Sequence, residues 1–155
     1  MSEAPRTMRV VLRRANEAVH FVAETGGGGR VPIDGAPAIG GQGLGARPME
    51  LLLAGLGGCG AIDVVGILTK QRQAVDDVTV AVEGERAPGE PSVFTRIHVH
   101  FTVRGPADPQ AVGRAVALSM DKYCSAARVL EQTAAITYTH EVEPAAAAPA
   151  AGGRA

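Results

Sequence analysis

Aromatic residues are scarce in this chain of 155, which has three Phe, two Tyr and no Trp. A core must therefore come from Val, Leu, Ile and Ala, and nothing resembles a platform for stacking nucleic-acid bases. Excess charge of either sign is missing too. Fifteen Lys and Arg stand against sixteen Asp and Glu with no basic stripe, so nucleic acid is not an expected partner. Positions 1–9 (MSEAPRTMR) lack the apolar centre of a secretory signal. The longest uncharged apolar run, Leu51 to Ile62, is closed by Glu50 and Asp63 and is short for a bilayer span. A cytoplasmic protein with no membrane role is expected. Cysteine is limited to Cys59 and Cys124, too few for a disulfide scaffold. The pair reads as buried fillers, metal ligands or redox groups. Their spacing is neither CxxC nor a zinc knuckle, and no GxSxG, P-loop or dinucleotide fingerprint is present.

What is present has a clear order. Arg9 to Arg14 and Glu17 to Glu24 are rich in Val, Leu and Phe and predict a hairpin turning at Ala15-Asn16. After the glycines 26–29, Val31 to Ile33 predicts a short third strand. Asp34 to Ala46 carries five glycines and a proline and reads as a loop. Pro48 suits the first position of a helix, which the pattern carries to about Gln71. Val78, Val80 and Val82 alternate within Asp77 to Arg86. Within Phe94 to Arg104, Ile97, Val99, Phe101 and Val103 alternate with Arg96, His98, His100 and Thr102. Asp108-Pro109 signals a helix start, and Val112, Ala115, Val116, Ser119, Met120 and Tyr123 follow at helical spacing. A helical piece over Ser125 to Gln132 leads to a last strand near Ile136 to Val142. The order βββ-α-ββ-α-β is α+β. One domain over residues 9–143 is expected, between an N-terminal extension (1–8) and an Ala/Pro/Gly tail (144–155) whose composition predicts disorder.

The stretch from Pro48 to Gln71 raises a problem of cover. Such a helix is about 36 Å long. Leu51, Leu52, Leu53, Leu56, Ile62, Val64, Val65, Ile67 and Leu68 surround its axis instead of forming one stripe. One small sheet covers one side, so a second subunit is expected to cover the other. Gly55, Gly57, Gly58 and Gly60 cost roughly 1 kcal/mol each against Ala in a helix, which suggests a local break or a close backbone approach. Glu50 and Cys59, nine residues apart, face opposite sides of an unbroken helix, about 13.5 Å apart in rise. Either the helix bends at Gly57-Gly58 or the carboxylate serves another site. A restart at the break would put Cys59 near unpaired N–H groups, which favour a thiolate; otherwise it is a small hydrophobe at a tight contact. Asp63 would oppose the thiolate. For Cys124, Lys122 and Arg128 nearby would favour one. A metal would call for His98 or His100, and these, with His20 and His140, read as surface or sheet-face residues; no metal or cofactor is expected.

Arg47-Pro-Met-Glu-Leu-Leu-Leu, the Gly-Gly-Cys nine residues beyond Glu50, the Ala-Ile-Asp-Val-Val after it and the later Lys-Tyr-Cys resemble the OsmC/Ohr family of thiol-dependent hydroperoxide reductases. The similarity runs from about Arg9 to Val142 and looks nearest to an OsmC-like branch. The resemblance implies an OsmC-like fold with a long central helix in an intertwined homodimer. It implies a peroxidatic role for Cys59, a resolving role for Cys124 through a Cys59–Cys124 disulfide, and a site carboxylate at Glu50. An arginine holding the thiolate is also implied, with Arg30 and Arg47 as candidates. The partners would be a hydroperoxide substrate and an external dithiol reductant, in oxidative-stress defence. An apolar surround from Met49, Leu52 and Leu56 would favour organic peroxides. The alternatives are a small-molecule-binding dimer and a redox-sensing dimer on the same scaffold.

Overall fold

A computed structural model describes residues 3–146. The chain divides into two compact units at Leu52/Leu53, inside one long helix. The tail expected to be disordered lies outside the described residues from position 147 on.

The first unit is a three-stranded antiparallel sheet in the order β1 (Val10–Arg14), β2 (Phe21–Thr25), β3 (Arg30–Ile33). The predicted hairpin forms, but its second strand begins at Phe21 and not at Glu17. The reason is Asn16, whose side-chain oxygen accepts from the N–H groups of Ala18 and His20 and holds a wider loop. The glycine-rich segment after β3 is a loop, as expected, with a single 3₁₀ turn at Pro37–Ile39. Its organiser is Asp34, a buried carboxylate that accepts from the N–H groups of Gly35, Gln42 and Leu44 at 2.8, 2.9 and 3.0 Å. Those bonds, led by Leu44, hold the Asp34 carboxyl below its ordinary value. Two glycines are obligatory here. A Cβ at Gly41 would lie 1.8 Å from the Gly35 oxygen, and one at Gly45 would lie 2.4 Å from the Pro32 carbonyl.

The second unit is built on a sheet in the order β4 (Asp77–Arg86), β5 (Phe94–Arg104), β6 (Ala135–Glu143). Strands β4 and β5 are antiparallel, whereas β5 and β6 are parallel. Parallel neighbours need a crossover, and α2 (Pro109–Leu118), a π turn (Ser119–Tyr123) and α3 (Ser125–Leu130) supply it. Helix α2 starts as its sequence indicates: the Asp108 side chain accepts from Gln110 N–H, and Pro109 follows. Ala111, Val112, Ala115 and Val116 form its buried stripe, and Ile97, Val99, Phe101 and Val103 of β5 are buried as well. The other face of β5 carries Arg96, His98, His100 and Thr102, as the alternation predicts.

Helix α1 (Pro48–Lys70) is unbroken, so of the two alternatives for its glycines the break and restart at Gly57-Gly58 is excluded and the close backbone approach remains. By length and composition alone it could cross a membrane, because the helix continues beyond the apolar run, past Glu50 and Asp63 at either end. Its glycines divide by face. A Cβ at Gly57 would come within 2.9 Å of Val82 Cγ2, and one at Gly60 within 3.0 Å of Phe101 Cζ. These two admit the helix close to β4 and β5. Gly55, Gly58 and Gly66 meet nothing within 4 Å. They lie on an open side with Ile62, 75% exposed, and Val65, 44% exposed.

Gly57→Leu should therefore lower stability by about 1–3 kcal/mol through overpacking, while Gly58→Ala should not lower it. Urea unfolding midpoints check the pair; equal losses at both positions would contradict the division of faces.

Candidate functional site

Cys59 and Asp63 stand one turn apart on α1 and so share a side of the helix. Cys124 comes from the crossover, where α2 does not run smoothly into α3. The Cys124 N–H donates to the Ser119 oxygen at 2.8 Å, five residues back, and this wider turn is the π segment. The chain is extended at Cys124, which then caps α3, its Sγ accepting from Ala127 N–H at 3.4 Å. The result is convergence. Sγ of Cys59, a carboxylate oxygen of Asp63 and Sγ of Cys124 all lie within 4.8 Å of one another. Both cysteines are free thiols, Cys59 half-buried and Cys124 fully buried.

The electrostatics differ from the sequence expectation. Burial pushes the Cys124 thiol from an ordinary 9.0 up to about 11, against the pull of Ala127 N–H and with help from Cys59 and Asp63. Lys122 and Arg128 do not favour a thiolate there. The Arg128 guanidinium donates to the Met120 oxygen at 2.7 Å and pairs with Glu131 at 3.1 Å, while Lys122 Nζ sits over the Tyr123 ring. Nor is Cys59 at a helix N-terminus, since α1 runs through it. Asp63 is held by Ser119, a fully buried hydroxyl that donates to its Oδ2 at 3.0 Å. Asp63 forms no ion pair among the described residues. Sequence reasoning missed Ser119: the Cys59–Asp63 spacing is visible in the sequence, but the approach of Ser119 is created by the crossover.

Glu50 has a local task. Its Oε2 accepts from Arg47 N–H at 2.9 Å, the third residue of α1 reaching back to the residue that precedes it. Arg47, Glu50 and Arg30, the first residue of β3, are exposed; Met49 is half-buried. Leu52 is 46% exposed, whereas Leu56 is sealed in the core and offers no surface to a ligand. His98 and His100 lie apart from the thiols, on the outer face of the second sheet. His98 contacts Thr137 and Thr139, and His100 contacts Thr139 and Glu141, so both ring nitrogens of each are engaged. His20 Nδ1 lies 3.0 Å from the Ile33 oxygen, and His140 lies where Gly113 of α2 passes β6.

The arrangement can bring two sulfurs to one reacting centre. A raised thiol pKa means that the folded state holds the Cys124 proton more tightly. Its contribution to stability is complete below pH 9.0 and is lost as pH rises towards about 11. Iodoacetamide should thus label Cys59 first at about pH 8, with Cys124 alkylation rising only towards its own pKa. Peptide mass spectrometry reads both, and equal labelling at the lower pH would contradict the assignment.

Comparison with known proteins places this geometry in context. The model of a family described as OsmC-like protein matches residues 41–139. A protein named YhfA from Escherichia coli (strain K12) is 42% identical over 132 residues, spanning 81% of this chain and 92% of that protein. Among solved structures, a hypothetical protein from Aquifex aeolicus VF5 aligns with a TM-score of 0.79 at 30% identity, over 90% of this chain and 98% of its own. An organic hydroperoxide resistance protein OsmC from Legionella pneumophila shares the fold, with a TM-score of 0.65 at 16% identity, over 90% of this chain and 100% of its own.

Proposed function

The chain belongs to the OsmC-like family, and on that premise we propose that it is a thiol-dependent peroxidase acting on organic hydroperoxides in a cytoplasmic oxidative-stress defence. The observation that carries the reading is the approach of the two sulfurs, one half-buried and one enclosed, to within 4.8 Å. The name of the Legionella pneumophila structure, an organic hydroperoxide resistance protein, supports the substrate class.

The chemistry is a two-step exchange. The Cys59 thiolate attacks the distal oxygen of the hydroperoxide, the O–O bond breaks, and the alkoxide leaves as the alcohol after taking a proton. Cys59 becomes a sulfenic acid. The Cys124 sulfur attacks it, water leaves, and a Cys59–Cys124 disulfide remains for an external dithiol to reduce. Burial disfavours a Cys124 thiolate in the resting state, which reserves first attack for Cys59. Arg30 and Arg47 are the proposed holders of the Cys59 thiolate, Met49 and Leu52 the apolar surround, and Glu50 the site carboxylate in addition to its capping task. An apolar surround favours organic peroxides over hydrogen peroxide.

Stopped-flow peroxide consumption tests the assignment. Cys59→Ser should abolish it, and Cys124→Ser should stop after one equivalent with sulfenic acid trapped by dimedone. Removal of the arginine that holds the thiolate should slow the first step by about 10²-fold or more; the same loss from neither Arg30→Ala nor Arg47→Ala would exclude both. Unchanged consumption in both cysteine variants would favour a binding or redox-sensing dimer instead.

A homodimer is part of the proposal. The open side of α1 carries Ile62, Val65 and the uncovered Gly58 and Gly66. Beside it runs a groove of about 680 Å³, lined in part by Ile62, Val65, Thr69, Val75 and Val78. A second copy laid here would bury apolar surface where small residues allow close approach. Ile62→Glu should convert the dimer to a monomer in analytical ultracentrifugation. A monomeric wild type at micromolar concentration would refute this part.

A further inference from the structure

We propose that the reduced site also binds a thiophilic divalent cation, of which zinc is the representative, through Cys59 Sγ, the Asp63 carboxylate and Cys124 Sγ, with a fourth position left open. Among the described residues, these three side chains alone form a group of metal-capable donors drawn so close together. The two sulfurs and the carboxylate come from two elements, α1 and the crossover, and need no other part of the chain.

Size supports the assignment. Zn–S bonds of about 2.3 Å and Zn–O bonds of about 2.0 Å in a tetrahedron set donor separations of roughly 3.4–3.8 Å. Donors within 4.8 Å need a contraction of at most about 1.4 Å to reach those separations, within reach of small side-chain rotations. Charge supports it as well. A carboxylate with no ion-pair partner among the described residues faces two thiols, and a dication is the counter-charge that lets both sulfurs ionise beside it. Cys124 gives up its thiol proton when the ion binds, as does Cys59 wherever it is not already a thiolate, and no electron moves.

The surroundings are those of a metal site. Ser119, fully buried, fixes Asp63 Oδ2 at 3.0 Å, the outer-shell hydrogen bond by which proteins orient a ligating carboxylate. Ala127 N–H already points at Cys124 Sγ. Two sulfur donors select soft or borderline ions over magnesium and calcium. The histidines do not compete: His98 and His100 spend both ring nitrogens on Thr137, Thr139 and Glu141. Sulfurs joined in a disulfide carry no thiolate charge, so cation binding and the oxidised state exclude each other.

The cation site shares its sulfurs with the proposed peroxidase yet does not depend on turnover, so each can fail without the other. The experiment is anaerobic titration of the reduced full chain with cobalt(II), followed by displacement with zinc. One equivalent per chain should develop a near-ultraviolet thiolate-to-cobalt band, with release of about one to two protons per ion at neutral pH. Cys59→Ser and Cys124→Ala should each remove one sulfur's share of the band and nearly all affinity. Ser119→Ala, which leaves all three ligands in place, should weaken zinc by about tenfold or more. Asp63→Asn should weaken it at least as much, and His98→Ala with His100→Ala should change nothing. Circular dichroism confirms that each variant is folded. Absence of the thiolate band, affinity unchanged in Asp63→Asn, or loss of binding in the histidine variants would overturn the site.

Discussion

The second unit depends on how closely α1 lies against its sheet. Gly57 against Val82 and Gly60 against Phe101 leave no room for a Cβ without displacement, so the backbone of the turn containing Cys59 rests almost on the strands. Phe101 belongs to β5, the central strand, and Met120 of the π turn also lies within 3.6 Å of a Cβ at Gly60. One tight contact therefore ties the helix to both the sheet and the crossover. The thiols meet because their supports meet first. A helix held off by larger side chains would carry Cys59 away from Cys124 although neither cysteine had changed.

The same helix explains the sequence's unusual use of glycine. Helix propensity alone condemns four glycines within six residues. Packing distributes them: two are needed where the strands press in, and two face outward, where a Cβ would find nothing within 4 Å. Propensity is sacrificed on one side for approach to the sheet, while on the other the glycines leave an open surface. The apolar residues of α1 divide in the same way, with Leu56, Val64 and Leu68 buried and Ile62 and Val65 exposed.

Much of the fold is readable in the sequence because the signals are local. Period-two alternation marks β4 and β5 at their observed ends, Asp108-Pro109 marks the start of α2, and Pro48 the start of α1. The Lys-Tyr-Cys and Gly-Gly-Cys motifs point to the family. The features that escape such reading are not local. Asn16 widens the first hairpin through two side-chain bonds. The glycine cluster suggests a broken helix because its tertiary contacts are invisible in the sequence. Lys122 and Arg128 are near Cys124 in the chain, but their charges are engaged by Tyr123, the Met120 carbonyl and Glu131. Ser119 reaches Asp63 across 56 positions, a pairing that no spacing rule proposes.

The π turn at Ser119–Tyr123 makes the meeting of the sulfurs a matter of counting. The turn accommodates one residue more than an ordinary α-helical repeat. Removing any one of its five residues would restore the regular winding and rotate the chain beyond the joint by about 100°. Cys124 would then face elsewhere, with its chemistry intact and its counterpart out of reach. Relatives that keep both cysteines but shorten this joint by a single position would carry two isolated thiols, and insertions or deletions here are more informative than the identity of the residues they displace.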